Sequence, residues 1–476
     1  MSIAKIDVTA ALKQAEQLLR QDKSLSAPMR AMVDLLIVII NLLVQKFGAN
    51  STNSSLPPSQ DPHRERGAKQ KTKGQKRKPG GQNGHEGATL APDPNPDHIA
   101  NIPIDRRTLP TGRYKPAGYE ARQVIDIEIR KQVTEYRAEI LADAHGCQFV
   151  AEFPAGVTRP VQYGTAIKAR SVYQSQQQLI PYERICDDFR DQCGIPLSAG
   201  SVFNFNQEAF ILLERFEVIV IQQLIIQRIL HADETGINVD GEGRWLHCVS
   251  NDKWTLFFPH ARRGAEAMIA MGVLEHFRGT LIHDHWKAYF QFSCLHALCN
   301  AHHLRELTRA WEDDGQHWAE KMHALLLEIK DATTKAGGGV TEREAKSFRS
   351  RYRNILTRGD RECPPPEPKD HPARPGRMAR TKSRNLLERL RNFETETLRF
   401  MTDKFVPFTN NQGENDERMT KVQQKISGCF RSFQGAQIFC RVRSYLSTCR
   451  KHGLAATEAL TMLFSGRLPD FIPKPR

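Results

Sequence analysis

Two stretches, Arg228-Ile-Leu-His-Ala-Asp233-Glu-Thr-Gly236 and Gly279-Thr-Leu-Ile-His-Asp284-His-Trp-Lys-Ala-Tyr289, decide the fold. In each, a short apolar run ends on a carboxylate, which is costly there unless a metal ion or a hydrogen bond holds it. Working outward, Gln227 to Val239 reads as a strand carrying Asp233. Arg244-Trp-Leu-His-Cys-Val249 and Trp254-Thr-Leu-Phe-Phe258 read as two more, with Gly241 to Gly243 and Asn251-Asp252 as turn residues between them. A helix is expected from Ala265 to Phe277, and Thr280 to His283 then makes a fourth strand ending at Asp284.

Three hairpin-linked strands, a helix, and a strand that must lie parallel to the first is the order of a ribonuclease-H-like α/β core. In that order the first and fourth strands are neighbours, which would set Asp233 beside Asp284. Two carboxylates that close repel unless divalent cations sit between them. Either Asp alone reads as a turn or capping residue; the pair on this strand order reads as a site.

The third stretch is Pro407-Phe-Thr-Asn-Asn-Gln-Gly-Glu414-Asn-Asp-Glu-Arg418. A helix opens at Asn410-Asn411, both good caps. Along it Glu414, Arg418, Lys421 and Lys425 fall at steps of four, three and four on one face, beside an apolar stripe of Met419, Val422 and Ile426. Such a helix can offer a metal-binding carboxylate near its start and cations for DNA phosphates along its length. An ordinary amphipathic helix with a Glu414 to Arg418 surface pair is the other reading. Asp233, Asp284 and Glu414 are taken together as one metal site.

Cys294-Leu-His296-Ala-Leu-Cys299-Asn-Ala-His302-His303 has Cys and His at spacings that can bind zinc. The apolar residues between them read more simply as a fifth strand running into a helix from His303 to Trp311, and zinc is not expected.

At 476 residues the chain is too long for one core. Its net charge of +14 and pI near 9.3 point to a polyanion partner, usually nucleic acid, against a basic but passive surface. Ten cysteines are scattered singly with no Cys-x-x-Cys, so neither a disulfide framework nor a four-cysteine zinc ribbon is indicated, and a reducing, cytoplasmic setting fits. The most apolar run, Ala31 to Val44, is shorter than the ~20 residues of a bilayer span and is interrupted by Asp34 and Asn41, so no membrane association is expected.

Residues 1–48 read as a helical or coiled-coil N-terminal region. Its second helix starts at Ser26 and Pro28 and stops near Gly48, with Leu35, Leu36, Leu42 and Leu43 repeating at seven residues; it either self-associates or packs on its own domain. Residues 49–98 carry Arg64, Arg66, Lys69, Lys71, Lys73, Lys76, Arg77 and Lys78 against Glu65, a composition that cannot bury a core. They read as a disordered linker that holds DNA phosphates without reading sequence, or as a solubilising tether. From 99 to 158, alternation in Arg122 to Arg130 and in Val133 to Ile140 predicts a small β-rich module.

Residues 159–218 look helix-turn-helix-like, with Tyr182 to Cys193 and a helix capped by Ser198 around Gly194-Ile-Pro-Leu, a pattern that plain helical hairpins share. The core's first part is assigned to 219–310 and a helical insertion to 311–400, broken at Gly337-Gly-Gly339 and at the Pro- and Arg-rich Cys363 to Arg377. Its second part and the tail occupy 401–476, with a helix from about Gln437 to His452 packing on the core.

Several further motifs stand out: Asn53-Ser-Ser-Leu-Pro-Pro-Ser59, Lys78-Pro-Gly-Gly-Gln82, His231-Ala-Asp-Glu-Thr235, Cys299-Asn-Ala-His-His303, Val406-Pro-Phe-Thr-Asn-Asn-Gln412, Lys421-Val-Gln-Gln-Lys-Ile-Ser-Gly428 and Arg443-Ser-Tyr-Leu-Ser447. In this combination, over nearly the whole chain, the sequence resembles the insertion-sequence-66 transposases, a group of bacterial DDE transposases. The resemblance implies a ribonuclease-H-like catalytic domain with a helical insertion before the last acid, and matches Asp233, Asp284 and Glu414 to the family's three acidic residues. Two departures are visible. Members usually carry a zinc-binding cysteine cluster after the basic linker, whereas only Cys147 lies between residues 99 and 158. Around the third acid they usually read Ala-Glu-Arg, where this chain has Gly413-Glu414-Asn415, with Glu417 where an apolar residue is common.

The expected function is therefore a Mg²⁺- or Mn²⁺-dependent transposase that cleaves at element ends and joins the freed 3′-hydroxyl to target DNA. It would work on terminal repeats and target DNA as a homo-oligomer, with accessory proteins from the same element as possible partners. The altered surroundings of Glu414 motivate an alternative, a catalytically impaired relic that only binds DNA.

Overall fold

The computed structural model describes residues 26–48, 90–365 and 380–473, with isolated positions between 2 and 19. The basic run from Arg64 to Lys78 and most of the Pro- and Arg-rich piece after Cys363 lie outside these residues. Helix α1 (Ala27–Gly48) starts and stops where Ser26, Pro28 and Gly48 place it. It leaves Met32, Leu35, Leu36, Ile39 and Leu43 exposed.

Residues 90–164 carry one small antiparallel hairpin, β1 (Ile140–Ala142) with β2 (Gln148–Val150). This corrects the expected β-rich module: 122–130 and 133–139 form no ladder, and Val124, Ile127 and Val133 are exposed. Alternation makes a strand only where a partner strand and an apolar layer receive it, and neither is present among the described residues here.

The helical region follows as α2 (Thr165–Val172), a π-helical turn (Tyr173–Gln177), α3 (Tyr182–Cys193), α4 (Ala199–Leu212) and α5 (Glu214–Ile225). Gly194 ends α3 at φ 60°, and Ser198 Oγ accepts the Ser201 amide at 3.1 Å to open α4.

One mixed sheet positions the site. Strands β3 (Ile229–Val239), β4 (Glu242–Ser250), β5 (Thr255–His260), β6 (Thr280–His283) and β7 (Leu295–Leu298) run in the order β5-β4-β3-β6-β7. Asp240 and Gly241, at φ 52° and 83°, close the β3–β4 hairpin with Val239 opposite Glu242. Strand β6 lies parallel to β3, with Ile229 opposite Thr280 and His231 opposite Ile282, so the first and fourth strands of the sheet are neighbours as expected. The intervening helix, α6, covers only Ala265–Ala270; Gly272 at φ 75° turns the chain where the sequence reading continued the helix to Phe277.

Alternate residues feed different cores. Leu230, Ala232 and Leu281 pack with Phe216, Val220 and Leu224 of α5. On the opposite face Ile282 and Ala297 meet α7 (Asn300–Glu312) and the insertion helices α8 (His317–Lys335), α9 (Glu342–Glu362) and α10 (Lys382–Asn392), around Trp318, Tyr352 and Leu387. Two four-residue helical turns, α11 (Glu394–Thr397) and α12 (Arg399–Thr402), lead to α13 (Asn411–Ser427), α14 (Phe433–Lys451) and α15 (Ala456–Phe464). Helix α14 lies over edge strand β5, where Ser444 Oγ and Thr448 Oγ1 accept the Phe257 and Thr255 amides at 2.8 and 3.1 Å. Those amides would otherwise be open to strand addition.

Gly279 leads into β6 beside the residues that join α5 to β3. A Cβ there would meet Gln227 O at 2.8 Å and Arg228 O closer still. Gly279→Ala should therefore lose about 1–3 kcal/mol of stability in urea unfolding, the usual cost of overpacking against backbone; an unchanged midpoint would contradict this packing.

Candidate active site

His231 pairs with Ile282, and carrying that register two residues on brings Asp233 of β3 beside Asp284, which stands one residue past the end of β6. Asp233 Oδ1 accepts the Glu234 amide at 3.0 Å, and Asp284 Oδ1 accepts the Trp286 amide at 2.9 Å. Among the described residues neither carboxylate receives a hydrogen bond or ion pair from a Lys or Arg. Burial pushes the Asp233 carboxyl up to about 8, and the charges of Glu234, Asp284 and Glu414 push the same way. An oxygen-only donor set under mutual repulsion suits a hard divalent cation.

Glu414 reaches this end of the sheet from α13, whose start is strapped down. Asn410 is buried, but its side chain does not cap the helix. Instead Nδ2 donates to the Ala232 carbonyl at 2.9 Å and Oδ1 lies 2.8 Å from His231 Nδ1, so α13 is tied to the residues just before Asp233. Lys451 Nζ binds Asp416 at 2.7 Å and the Asn251 carbonyl at 2.7 Å, joining the helix to α14 and to the β4–β5 turn. Beyond its far end, Phe430 N donates to Asn238 O at 2.9 Å and Asp240 N to Phe430 O at 2.8 Å.

The Glu414 side chain itself turns toward the start of α7. Its Oε1 lies 3.5 Å from His302 Nε2 and 4.0 Å from Cys299 Sγ. His302 holds the Glu414 carboxyl below the usual range. Cys299, His302 and Glu414 form the one set of three metal-capable side chains, among the described residues, whose donor atoms lie within 4.8 Å of one another. Asp233, Asp284 and Glu414 share an end of the sheet without converging that closely.

Two further carboxylates crowd the same place: Glu234, which no motif marked as part of the site, and Glu417, marked only as a departure from the family pattern. Glu234, with a side chain only 2% exposed, accepts Arg263 through Nε at 3.0 Å and Nη2 at 2.5 Å, and the Tyr289 hydroxyl at 2.5 Å. The Arg263 guanidinium lies 4.9 Å from the Trp245 ring and 4.4 Å from that of Trp286. Glu417 is buried, with Oε1 lacking a hydrogen-bond partner, and burial next to Asp233 and Glu234 holds its carboxyl well above the ordinary value. Its place three residues after Glu414 on a helix, where an apolar residue is common, was the available signal.

Of the cations assigned to DNA, Arg418 and Lys425 are exposed. Lys421 is exposed as well, and its Nζ donates to the Gly236 carbonyl at 2.9 Å. Arg64, Arg66, Lys69, Lys71, Lys73, Lys76, Arg77 and Lys78 lie outside the described residues.

A family model described as Transposase IS66 family matches residues 160–438, which include the whole sheet, the insertion and all three acids. The chain belongs to the IS66 transposase family. Its setting is thus the transposition of insertion sequences, a form of DNA recombination. Residues 7–91 match a second family, of unknown function. No curated protein matches the chain.

Two consequences of this geometry are measurable. With its carboxyl near 8 in the folded transposase and near 3.8 when free, Asp233 binds more protons folded than unfolded between those values, so its contribution to stability falls as pH rises across them. Asp233→Asn removes that loss: calorimetry should show the variant melting above wild type by a margin that widens from about pH 5 to about pH 8. A constant or narrowing margin would refute the buried, repelled carboxyl. Asn410→Ala leaves the Ala232 carbonyl and His231 without their partner, and should cost about 1–3 kcal/mol in urea unfolding; a neutral change would mean the strap bears no load.

Proposed function

We propose that this transposase cleaves DNA strands at the ends of its element and joins the freed 3′-hydroxyl to target DNA, using Asp233, Asp284 and Glu414 on a ribonuclease-H-like core. The observation that carries the reading is the parallel β3–β6 pairing, which brings together two carboxylates that, among the described residues, no Lys or Arg bonds. DDE transposases as a class use divalent metal ions, and these residues fit one. Asp233 and Asp284 would hold Mg²⁺ or Mn²⁺ with Glu414 completing the set. When bound, such ions activate the attacking water or 3′-hydroxyl and stabilise the leaving oxygen.

The protein's own share is positioning and charge. Asp233 gives up its proton to take the ion, so ion affinity rises with pH toward 8. Glu234, committed to Arg263 and Tyr289, stays out of the ligand set while adding negative potential. Arg418 and Lys425, exposed on the α13 face that carries Glu414, take phosphates of the bound strand. The basic run from Arg64 to Lys78 adds sequence-independent affinity, and the α3–α4 pair is the candidate reader of the element ends.

Exposed apolar side chains on α1 favour a homo-oligomer. Accessory proteins encoded by the same element are further candidate partners. Among the described residues no helix is long and apolar enough to cross a membrane, and we place the reaction in the cytoplasm, where the DNA is.

One observation favours the second reading, a relic that binds DNA without cutting it: Glu414 is turned to His302 and Cys299. A cleavage and strand-transfer assay on DNA carrying the element ends, with Mg²⁺ or Mn²⁺ and any co-encoded proteins, separates the two. Wild type should give joined product, and Glu414→Gln and Asp284→Asn should each lower it by about a hundredfold or more. Tight end-binding with no product under either ion would establish the relic.

A further inference from the structure

The contact that draws Glu414 aside is itself built like a metal site. Cys299 precedes α7 and His302 lies three residues on, in its first turn, so both side chains leave the same helix start. Glu414 comes from α13 to meet them, at 3.5 Å from His302 and 4.0 Å from Cys299. All three donor atoms lie within 4.8 Å of one another. A tetrahedral ion with bonds of about 2.0–2.3 Å to nitrogen, oxygen and sulfur holds its ligands roughly 3.3–3.6 Å apart, so only a small closure is needed.

The sulfur is already supported: Asn410 N donates to Sγ at 3.1 Å, the kind of amide contact that steadies a metal-bound thiolate. Thiolate, imidazole and carboxylate together select a borderline ion such as zinc over magnesium, which prefers oxygen alone. His302 and Glu414 are part-exposed, at 31% and 38% of their side chains, which leaves an entry path and room for a water as fourth ligand.

We propose that Cys299, His302 and Glu414 bind a single zinc-class ion, and that this ion turns the transposase off by holding Glu414 away from Asp233 and Asp284. Binding displaces the Cys299 thiol proton to solvent. It also moves the His302 ring proton from Nε2 to Nδ1, so Arg305, whose Nη2 lies 3.2 Å from Nδ1, must let go. With two anionic ligands the bound dication leaves no net charge, so the part-buried Arg305 is not repelled. The inhibitory consequence rests on the reading of Glu414 as the third acid; the binding site does not.

Cobalt titration of the full-length protein tests the site without DNA. Wild type and Asp233→Asn should each take up one Co²⁺ with a thiolate-to-cobalt charge-transfer band that added zinc removes. Cys299→Ser should lack the band, and both it and His302→Gln should bind zinc at least about tenfold more weakly, a loss no smaller than that of an outer contact. Melting curves near that of wild type would show that the variants fold. No band in wild type, or a band that survives in Cys299→Ser, would overturn the proposal.

The cleavage assay then reads the consequence. Zinc should suppress Mg²⁺-dependent product in wild type and do so at least about tenfold less effectively in His302→Gln, in line with its weakened site; equal suppression in both would overturn the off-switch. A cobalt band in a protein that never cleaves would sink the catalytic reading and leave the site standing, whereas cleavage without a band would do the reverse.

Discussion

The pairing of β3 with β6 is the constraint on which the rest depends. It brings Asp233 of β3 beside Asp284, just past the end of β6, and among the described residues no Lys or Arg bonds to either. Like charges so placed cost stability. The fold meets that cost with apolar packing on both faces of the sheet: the α5 core behind Leu230, Ala232 and Leu281, and the insertion core behind Ile282 and Ala297. The insertion helices are therefore structural partners of β6 and β7 as well as a spacer before Glu414.

Helix α13 brings the third carboxylate from a distant part of the chain, and its attachment matters more than its own stability. Asn410 ties its start to the strand backbone just before Asp233, and Lys451 ties Asp416 to the last long helix. The strap fixes the backbone of Glu414 but leaves its side chain a choice. One arrangement would face Asp233, whose proton affinity burial and the neighbouring charges raise; the one observed faces His302 and Cys299. Since both lie at the same end of the sheet, which ion is bound decides between activity and silence in this account.

Much of this was legible in the sequence where local signals are strong. The glycines at Gly241 to Gly243, the Asn251-Asp252 turn and the apolar run before Asp284 marked three strand ends, though the first turn closes earlier, at Asp240-Gly241. Strand order then made Asp233 and Asp284 neighbours. The Gly194 and Ser198 boundary of the helical pair was equally plain. What the sequence hid was tertiary: Asn410 has a capping residue's identity, yet its side chain is spent on Ala232 and His231. Nothing local marks Glu234 as buried, and Glu417 stood out only by taking a place where an apolar residue is common. Residues 122–139 alternate like a strand but have no partner to pair with, and periodicity alone does not report that. The Cys299 and His302 spacing was visible, but the third donor lies 112 positions beyond His302 and only the folded chain supplies it.

The central claim is that Asp233 and Asp284 share a divalent ion at the end of the β3–β6 pair. Its most direct test is a crystal structure of the transposase on element-end DNA grown with Mn²⁺, using anomalous scattering to locate the ion. The account predicts an anomalous peak bonded to both aspartates, with Glu414 swung from His302 toward it. A manganese peak confined to other residues, with Asp233 and Asp284 left unbridged, would contradict it.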